Sequence, residues 1–226
     1  MTKKPIFSET YLAACRHPVP GLYGNMVSLA GAGNSYQWAR DALFEGESYQ
    51  SLDRESEKRM GKNMDLFFIP WLTGAPYPYW SPTSRGGFLG ADLSHDRYDF
   101  SLSVMEAAAF SVRTALDDFS KHGCRTESIR IMGGATKSAV WMKILSAVLP
   151  VPIFKMQVTD TCAVGAAVLA LCGEGCFSSY REAAQNFAHG VYLETDSEFR
   201  EYYNEKYEKQ KSLLRYLAEW KGGDRS

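Results

Sequence analysis

The residues best suited to chemistry in this sequence lie where an apolar segment runs into two glycines and then into a helical pattern. Residues 128–132 have the composition of a buried strand, Gly133 and Gly134 follow, and residues 136–149 have helical spacing. Glycines at such a corner omit the Cβ atoms that would hold a ligand away, and the first N–H groups of a helix favour a phosphate or a ribose edge. The corner is a candidate nucleotide site, although a simple tight turn has the same pattern.

A second glycine corner occupies residues 31–33 and precedes another helical pattern, for which Asn34 or Ser35 is the predicted N-cap. Tyr36 stands where the third glycine of a dinucleotide fingerprint would be, which disfavours a Rossmann dehydrogenase. Lys137 resembles a P-loop lysine, but no glycine directly precedes it and the required spacing is missing. The motif therefore does not indicate a Walker-type nucleotidase.

Two further groups of polar or aromatic residues have ordinary structural explanations. Asp92, His95, Asp96 and Asp99 form a small polar cluster, in which Asp96 is predicted to cap a helix while Asp99 reaches back as a capping box. The aromatic loop at residues 71–80 has the composition to stack on a sugar, yet packing is favoured in a chain with five Trp and 13 Tyr.

The composition is that of an ordinary globular protein. Hydrophobic residues make up 45% of the 226 residues and charged residues 23%, which excludes disordered and collagen-like classes. The 25 Lys and Arg residues against 26 Asp and Glu leave a formal net charge of -1, so no nucleic-acid partner is expected. At about 150 residues per domain, the length allows one large domain or one domain with a fragment of another.

Cysteine and histidine usage gives no sign of a disulfide framework or a metal site. The five cysteines lack Cys-x-x-Cys spacing, and the four histidines lie far apart in the sequence. The basic N-terminus leads into no apolar signal segment, and no run of about 18 apolar residues occurs. We expect a cytoplasmic protein with no membrane partner.

Hydrophobic periodicity predicts an α/β chain. The longest helix is predicted over residues 97–121 with one buried stripe. Residues 45–63 are predicted to be a solvent-facing connection outside the core, with room for one short helix. A final helix is predicted to begin at a Thr195-x-x-Glu198 capping box. Between the helix at residues 97–121 and the final helix, strands and helices alternate, which implies parallel strands. Their predicted order is strand 128–132, helix 136–149, strand 151–157 and helix 161–172.

Taken in order, these segments resemble the C-terminal domain of the FGGY carbohydrate kinases, a family that includes xylulokinase and glycerol kinase. Four pieces match at family-like spacing, and ordered matches over residues 22–177 are far more specific than one glycine pair. The pieces are AGNSYQWARD at 32–41, IPWLTG through PYW to SRG at 69–86, MEA with Phe110 at 105–110, and MGGATKS with Trp141 at 132–141 followed by VGAA at 164–167.

The resemblance implies an actin-like ATPase, or ribonuclease-H-like, α/β domain. Its mixed sheet is flanked by helices and is expected to be incomplete at its N-terminal edge, because the domain's first strands would precede Met1. Residues 1–190 are then the nucleotide-binding domain, and residues 191–226 are a C-terminal helix and tail. The implied activity is transfer of the γ-phosphate of ATP, with Mg²⁺, to a sugar hydroxyl.

The resemblance also implies the residues that hold the nucleotide. Gly33 and Gln37 match family residues on the phosphate and ribose side, while Gly134 and Ser138 match the corner that contacts adenosine. Gly133 is expected to support that second corner. Both are glycine turns at predicted helix N-termini, where N–H groups favour anions.

The family's catalytic aspartate and its sugar-binding domain are expected to lie before Met1. Phosphoryl transfer depends on positioning and charge stabilisation, so the isolated chain is predicted to be inactive and to need a companion N-terminal domain or chain. An exposed sheet edge and apolar face lead us to expect a homo-oligomer.

The sugar is left open, with a preference for a ketopentose such as xylulose or a related polyol. Residues 74–76 lack the Gly-Glu-Arg of many xylulokinase-like members, and Leu102 replaces the family's usual arginine. Two alternatives stay open from the sequence: another actin-like ATPase, such as a chaperone or cell-shape protein, and a non-catalytic nucleotide-binding or interaction module.

Overall fold

The computed structural model describes residues 1–7, 12–29, 31–75, 77–158 and 160–219. Helices and short strands alternate along these residues. The strands are β1 Ala13–Arg16, β2 Tyr23–Met26, β3 Phe67–Ile69, β4 Gly87–Leu89, β5 Ile129–Ile131, β6 Ile153–Met156 and β7 Gly190–Leu193. The helices are α1 Ala32–Leu43, α2 Tyr49–Glu57, α3 Arg97–Lys121, α4 Ala139–Val148, α5 Thr161–Gly173, α6 Tyr180–Phe187 and α7 Arg200–Glu219, with a 3₁₀ turn at Gly134–Lys137.

The described strands fall into three small sheets. Antiparallel pairs join β1 to β2 and β3 to β4, while the third sheet has the order β5-β6-β7. Strands β5 and β6 are parallel, as the alternation of strand and helix predicts, but β7 returns antiparallel to β6. The α/β class and a mixed sheet flanked by helices are therefore confirmed, with the mixed sheet confined to these three strands.

Helix α3 forms the centre of the molecule. Its bounds and its capping box agree with the sequence prediction, since Asp96 accepts hydrogen bonds from the N–H groups of Tyr98 and Asp99, and Asp99 accepts one from the Asp96 N–H. The prediction of a single buried stripe is wrong, because residues 101–110 are buried on every side. Helices α1, α2 and α4 and strand β3 all pack around this helix.

Helix α7 completes the core from the C-terminal side. It begins at Arg200, so the prediction of a start at the Thr195 box is wrong, and Tyr203 and Tyr207 are buried in the main hydrophobic core. The rings of both tyrosines pack against Phe110 of α3. The apolar stripe of the last helix is therefore covered by this chain itself.

A buried ion pair fixes α7 against α3. The ammonium of Lys206 donates to Glu106 Oε2 over 2.6 Å, and both side chains are 1% exposed. Lys206 also donates to the Asn63 carbonyl over 2.6 Å. Burial raises the pKa of Glu106, and the charge of Lys206 opposes that shift.

The segment at residues 45–63 departs from the sequence prediction. Its one short helix, α2, agrees with the prediction, but Leu52 and Met60 are buried in the main core, so its placement outside the core is wrong. Helix α2 packs on α3 and α4. The many charged residues of α2 lie on its outer face. They make the few residues that reach the core hard to recognise in the sequence.

Helix α5 is the most apolar exposed element of the described chain. Its sequence, TCAVGAAVLALCG, has high mean hydropathy, yet none of its residues is buried, and Leu169 is 39% exposed. It packs chiefly on α6. A helix that is apolar all round normally lies inside a protein, so α5 is expected to associate.

Replacing either partner of the Lys206–Glu106 pair should strongly destabilise the fold. Lys206→Ala leaves an unpaired buried carboxylate, for which we expect a loss of about 3–5 kcal/mol in the free energy of unfolding. The double variant Lys206→Met with Glu106→Leu removes both charges and should lose much less. Urea unfolding followed by circular dichroism measures both, and equal losses for the two variants would contradict the assignment.

The exposed face of α5 should cause self-association. Light scattering at micromolar concentrations should give masses above the monomer, and Leu169→Glu should lower them because it puts a charge into the apolar contact. Gln50→Glu adds the same charge on the exposed surface of α2 and should leave the mass unchanged. A monomer at all concentrations would contradict this expectation.

Candidate functional site

The first candidate corner, at Gly133 and Gly134, has the open geometry that a ligand contact needs. Gly133 has φ +89° and ψ -166°, a conformation that is essentially restricted to glycine. A Cβ atom built on either glycine meets no atom within 4 Å. Gly133 therefore shapes the turn, whereas Gly134 presents bare backbone to open space.

The helix predicted over residues 136–149 is present as α4, but it begins at Ala139, because residues 134–137 form a 3₁₀ turn. The Thr136 hydroxyl donates to the Gly133 carbonyl over 2.7 Å and holds the turn closed. Ser138 is the N-cap of α4, and its Oγ accepts a hydrogen bond from the Trp141 N–H over 3.0 Å. The N–H groups next to the glycines are consequently those of a short turn.

The second corner lies at the start of α1. Its N-cap is Gly31, not Asn34 or Ser35, because the Ser35 N–H already donates to the Gly31 carbonyl over 2.9 Å within the first helical turn. Gly33 lies in that first turn and is exposed, and a Cβ atom there would meet nothing within 4 Å.

Gln37 lies on the exposed face of α1, one turn after Gly33. That face borders an open groove of about 430 Å³, lined by Asn34, Gln37, Trp38, Asp41 and Ala42. The opposite face of α1 carries the buried residues Ser35, Tyr36 and Ala39. Gln37 and Ser138 therefore differ in their surroundings, since Gln37 is exposed and Ser138 is buried.

A polar cluster around Asp53 joins the two corners. The Tyr36 hydroxyl of α1 donates to Asp53 Oδ1 over 3.2 Å, and the Ser138 hydroxyl is close enough to the Asp53 carboxyl to lower its pKa. Ser101 of α3 donates to the Tyr36 hydroxyl over 3.3 Å, and the Trp141 ring meets the Tyr36 ring edge-on at 5.3 Å. These five residues form what we call the Asp53 cluster.

The electrostatics of the Asp53 cluster favour a fixed set of hydrogen bonds. Burial raises the pKa of the Asp53 carboxyl, and the hydrogen bonds from Ser138 and Tyr36 partly offset that effect. Burial likewise raises the pKa of the Tyr36 hydroxyl, which keeps its proton and remains a donor. The Asp53 carboxyl is therefore half-buried and lies near the hydroxyl groups of Tyr36 and Ser138.

An aromatic face lies beside the same cluster. The ring of Tyr49 stacks on that of Tyr36 with 5.5 Å between centroids, and the Arg40 guanidinium lies 4.4 Å from the Tyr49 ring centroid. Tyr49 is 38% exposed, so one side of it faces solvent. Sequence reasoning missed Asp53 and Tyr49, and the helical spacing of Tyr49, Leu52 and Asp53 is the signal that could have placed them on one side of α2.

The other groups that the sequence singled out have structural roles. Asp96 and Asp99 cap α3, and Arg59 forms ion pairs with both. In the aromatic loop, Trp71 is buried and contacts Tyr79 edge-on at 5.6 Å. Capping and packing therefore account for these residues.

Within the described ranges, no group of three or more His, Cys, Asp or Glu side chains has an arrangement that could hold a metal ion. The described helices include none that is both long and apolar enough to cross a membrane. The five cysteines are unpaired by disulfides.

Comparison with known proteins points to one family. A model described as the C-terminal domain of the FGGY family of carbohydrate kinases matches residues 1–174. A xylulose kinase from Staphylococcus epidermidis is 29% identical over 180 residues, 79% of this chain and 36% of that protein. A glycerol kinase from Brucella anthropi is 31% identical over 175 residues, 76% of this chain and 34% of that protein.

A solved structure extends the likeness to the fold. The crystal structure described as a xyloylose kinase from Brucella ovis superposes with a TM-score of 0.83 and 26% identity, covering 94% of this chain and 44% of that one. The chain thus spans about a third of the length of the curated relatives it matches.

The two glycines of the first corner should respond differently to alanine. Gly133→Ala forces an L side chain into a glycine-only conformation and should lower the free energy of unfolding by about 1–3 kcal/mol. Gly134→Ala places its methyl group in open space and should change the stability by less than about 0.5 kcal/mol. Thermal unfolding of the two variants is the measurement, and equal stability would show that the turn differs from this geometry.

Proposed function

Because the chain belongs to the FGGY family of carbohydrate kinases, through its C-terminal domain, we propose that it is the nucleotide-binding half of an ATP-dependent sugar kinase. The observation that carries this proposal is the Asp53 cluster, which ties α1, with Gly33 and Gln37, to the corner at Gly133 and Gly134. Two glycine corners held together by one cluster suit a ligand with both an adenosine and a phosphate end.

We assign five residues to the nucleotide. Gly33 and Gln37 are on its phosphate and ribose side, Gly134 and Ser138 are at adenosine, and Gly133 supports that corner. The open space in front of Gly33 and Gly134 supports this assignment. Ser138 is buried, and its Oγ already accepts a hydrogen bond from the Trp141 N–H, so it contributes mainly by fixing the turn. Mg²⁺ would arrive with ATP, because in such sites its ligands are mainly the substrate phosphates and water, with one or two carboxylates.

The chemistry requires more than this chain. Transfer of a phosphoryl group depends on in-line placement of the acceptor hydroxyl and on charge stabilisation. We propose that the catalytic base and the sugar pocket belong to a companion N-terminal domain or chain, and that the isolated chain is inactive. The cytoplasm is the compartment we expect for such an enzyme.

We propose a ketopentose such as xylulose, or a related polyol, as the acceptor. The likeness to proteins described as xylulose kinases supports a ketopentose. A relative described as a glycerol kinase is equally similar, which keeps a polyol in the proposal. The full kinase, with its companion half, should be assayed with xylulose and glycerol in parallel to decide between them.

The isolated chain should bind ATP weakly. Calorimetry with MgATP should give a dissociation constant in the millimolar range, which corresponds to about -4 kcal/mol. Gly134→Trp should abolish that binding because its ring fills the open space at the corner, while Gly173→Trp, equally exposed and unobstructed at the end of α5, should bind as the parent does. Absence of any ATP binding by the parent chain would favour a non-catalytic interaction module instead.

A further inference from the structure

We infer that Asp53 is a positioning residue for the nucleotide, which holds the two glycine corners at a fixed separation. This inference rests on the proposed function, because it gives Asp53 a role in the same site. Asp53 lies in α2, a helix that carries none of the residues assigned to the nucleotide.

The first step is the geometry of the contacts that connect the two corners. Tyr36 lies next to Gln37 and three residues after Gly33, and its hydroxyl reaches Asp53 Oδ1 over 3.2 Å. Ser138 ends the turn that begins at Gly133, and its hydroxyl is close enough to lower the pKa of the same carboxyl. The Tyr36 ring also meets the Trp141 ring edge-on, and the Trp141 N–H donates to Ser138 Oγ over 3.0 Å. A movement of either corner relative to the other must therefore disturb the hydrogen bond from Tyr36 to Asp53 or the contacts of Trp141.

The second step is the chemistry of the carboxylate. An ionised Asp has only acceptor sites, so it favours hydroxyl groups that point their protons towards it. The donors are themselves buried, Tyr36 to 4% exposure and Ser138 to 8%, and a buried donor without a partner is unfavourable. Asparagine keeps the shape but presents an N–H₂ group to one of the two hydroxyls, which reverses one hydrogen bond.

The third step separates Asp53 from residues that only stabilise the fold. Tyr207 makes a similar bond, donating its hydroxyl to Asp117 Oδ2 over 2.6 Å between α7 and α3. Neither of those residues belongs to the Asp53 cluster. Loss of the Asp117 bond should therefore lower stability without a selective effect on the nucleotide.

The test compares Asp53→Ala, Asp53→Asn and Tyr36→Phe with Asp117→Ala as the matched control. MgATP is titrated by calorimetry under conditions where each variant is folded, and amide hydrogen exchange is measured in the same samples. We expect Asp53→Ala to weaken ATP binding about 10-fold to 100-fold, since a hydrogen bond to a charged group contributes an effect of this size. Tyr36→Phe keeps the ring and should weaken binding in the same direction.

Hydrogen exchange provides a readout that does not depend on nucleotide binding. Asp53→Ala should speed exchange of the amides at residues 138–141 and at the start of α1, whereas Asp117→Ala should leave both segments unchanged. Asp53→Asn should fall between the parent and Asp53→Ala in both measurements. Asp53→Asn and Tyr36→Phe preserve the packing, so they test the inference even if Asp53→Ala does not fold.

Two results overturn the inference and are distinguishable. If the parent chain binds ATP and the Asp53 and Tyr36 variants bind it equally well, Asp53 has no positioning role while the proposed function stands. If the parent chain binds no ATP, the proposed function fails and the inference fails with it.

Discussion

The packing of neighbouring elements on every side of α3 is the constraint on which the rest of the structure depends. A helix buried all round must satisfy its polar side chains from the elements that cover it. Ser101 does so through Tyr36 of α1, and Glu106 does so through Lys206 of α7. Apolar packing fixes how closely these elements approach α3, and the polar contacts fix their register along it.

The proposed nucleotide site follows from that arrangement. Helices α1 and α4 both pack on α3, the glycine corner at 31–33 forms the start of α1, and the corner at Gly133 and Gly134 precedes α4. Helix α2 packs on both α3 and α4, which brings Asp53 to Ser138 and Tyr36. The core of the molecule thus determines the separation of the corners, while the corners themselves remain exposed.

The sequence could predict the parts of this structure that depend on local order. Residues close together in the chain form the capping box at Asp96 and Asp99, set the span of α3 and make up the glycine pair at 133 and 134. The Asp53 cluster depends on contacts between α1, α2, α3 and α4, and a residue of a charge-rich segment gives no local sign of such contacts. The sequence places the start of α4 too early, because residues 134–137 form a 3₁₀ turn and Ser138 is the N-cap of the helix.

The central claim is that one nucleotide spans both corners, and backbone amide chemical shifts measured during titration with MgADP test it most directly. The account requires shifts at residues 32–37 and at residues 133–138 that saturate at the same ligand concentration. Shifts at only one of these segments, or shifts confined to the groove beside Asp65 and Leu213, would contradict it.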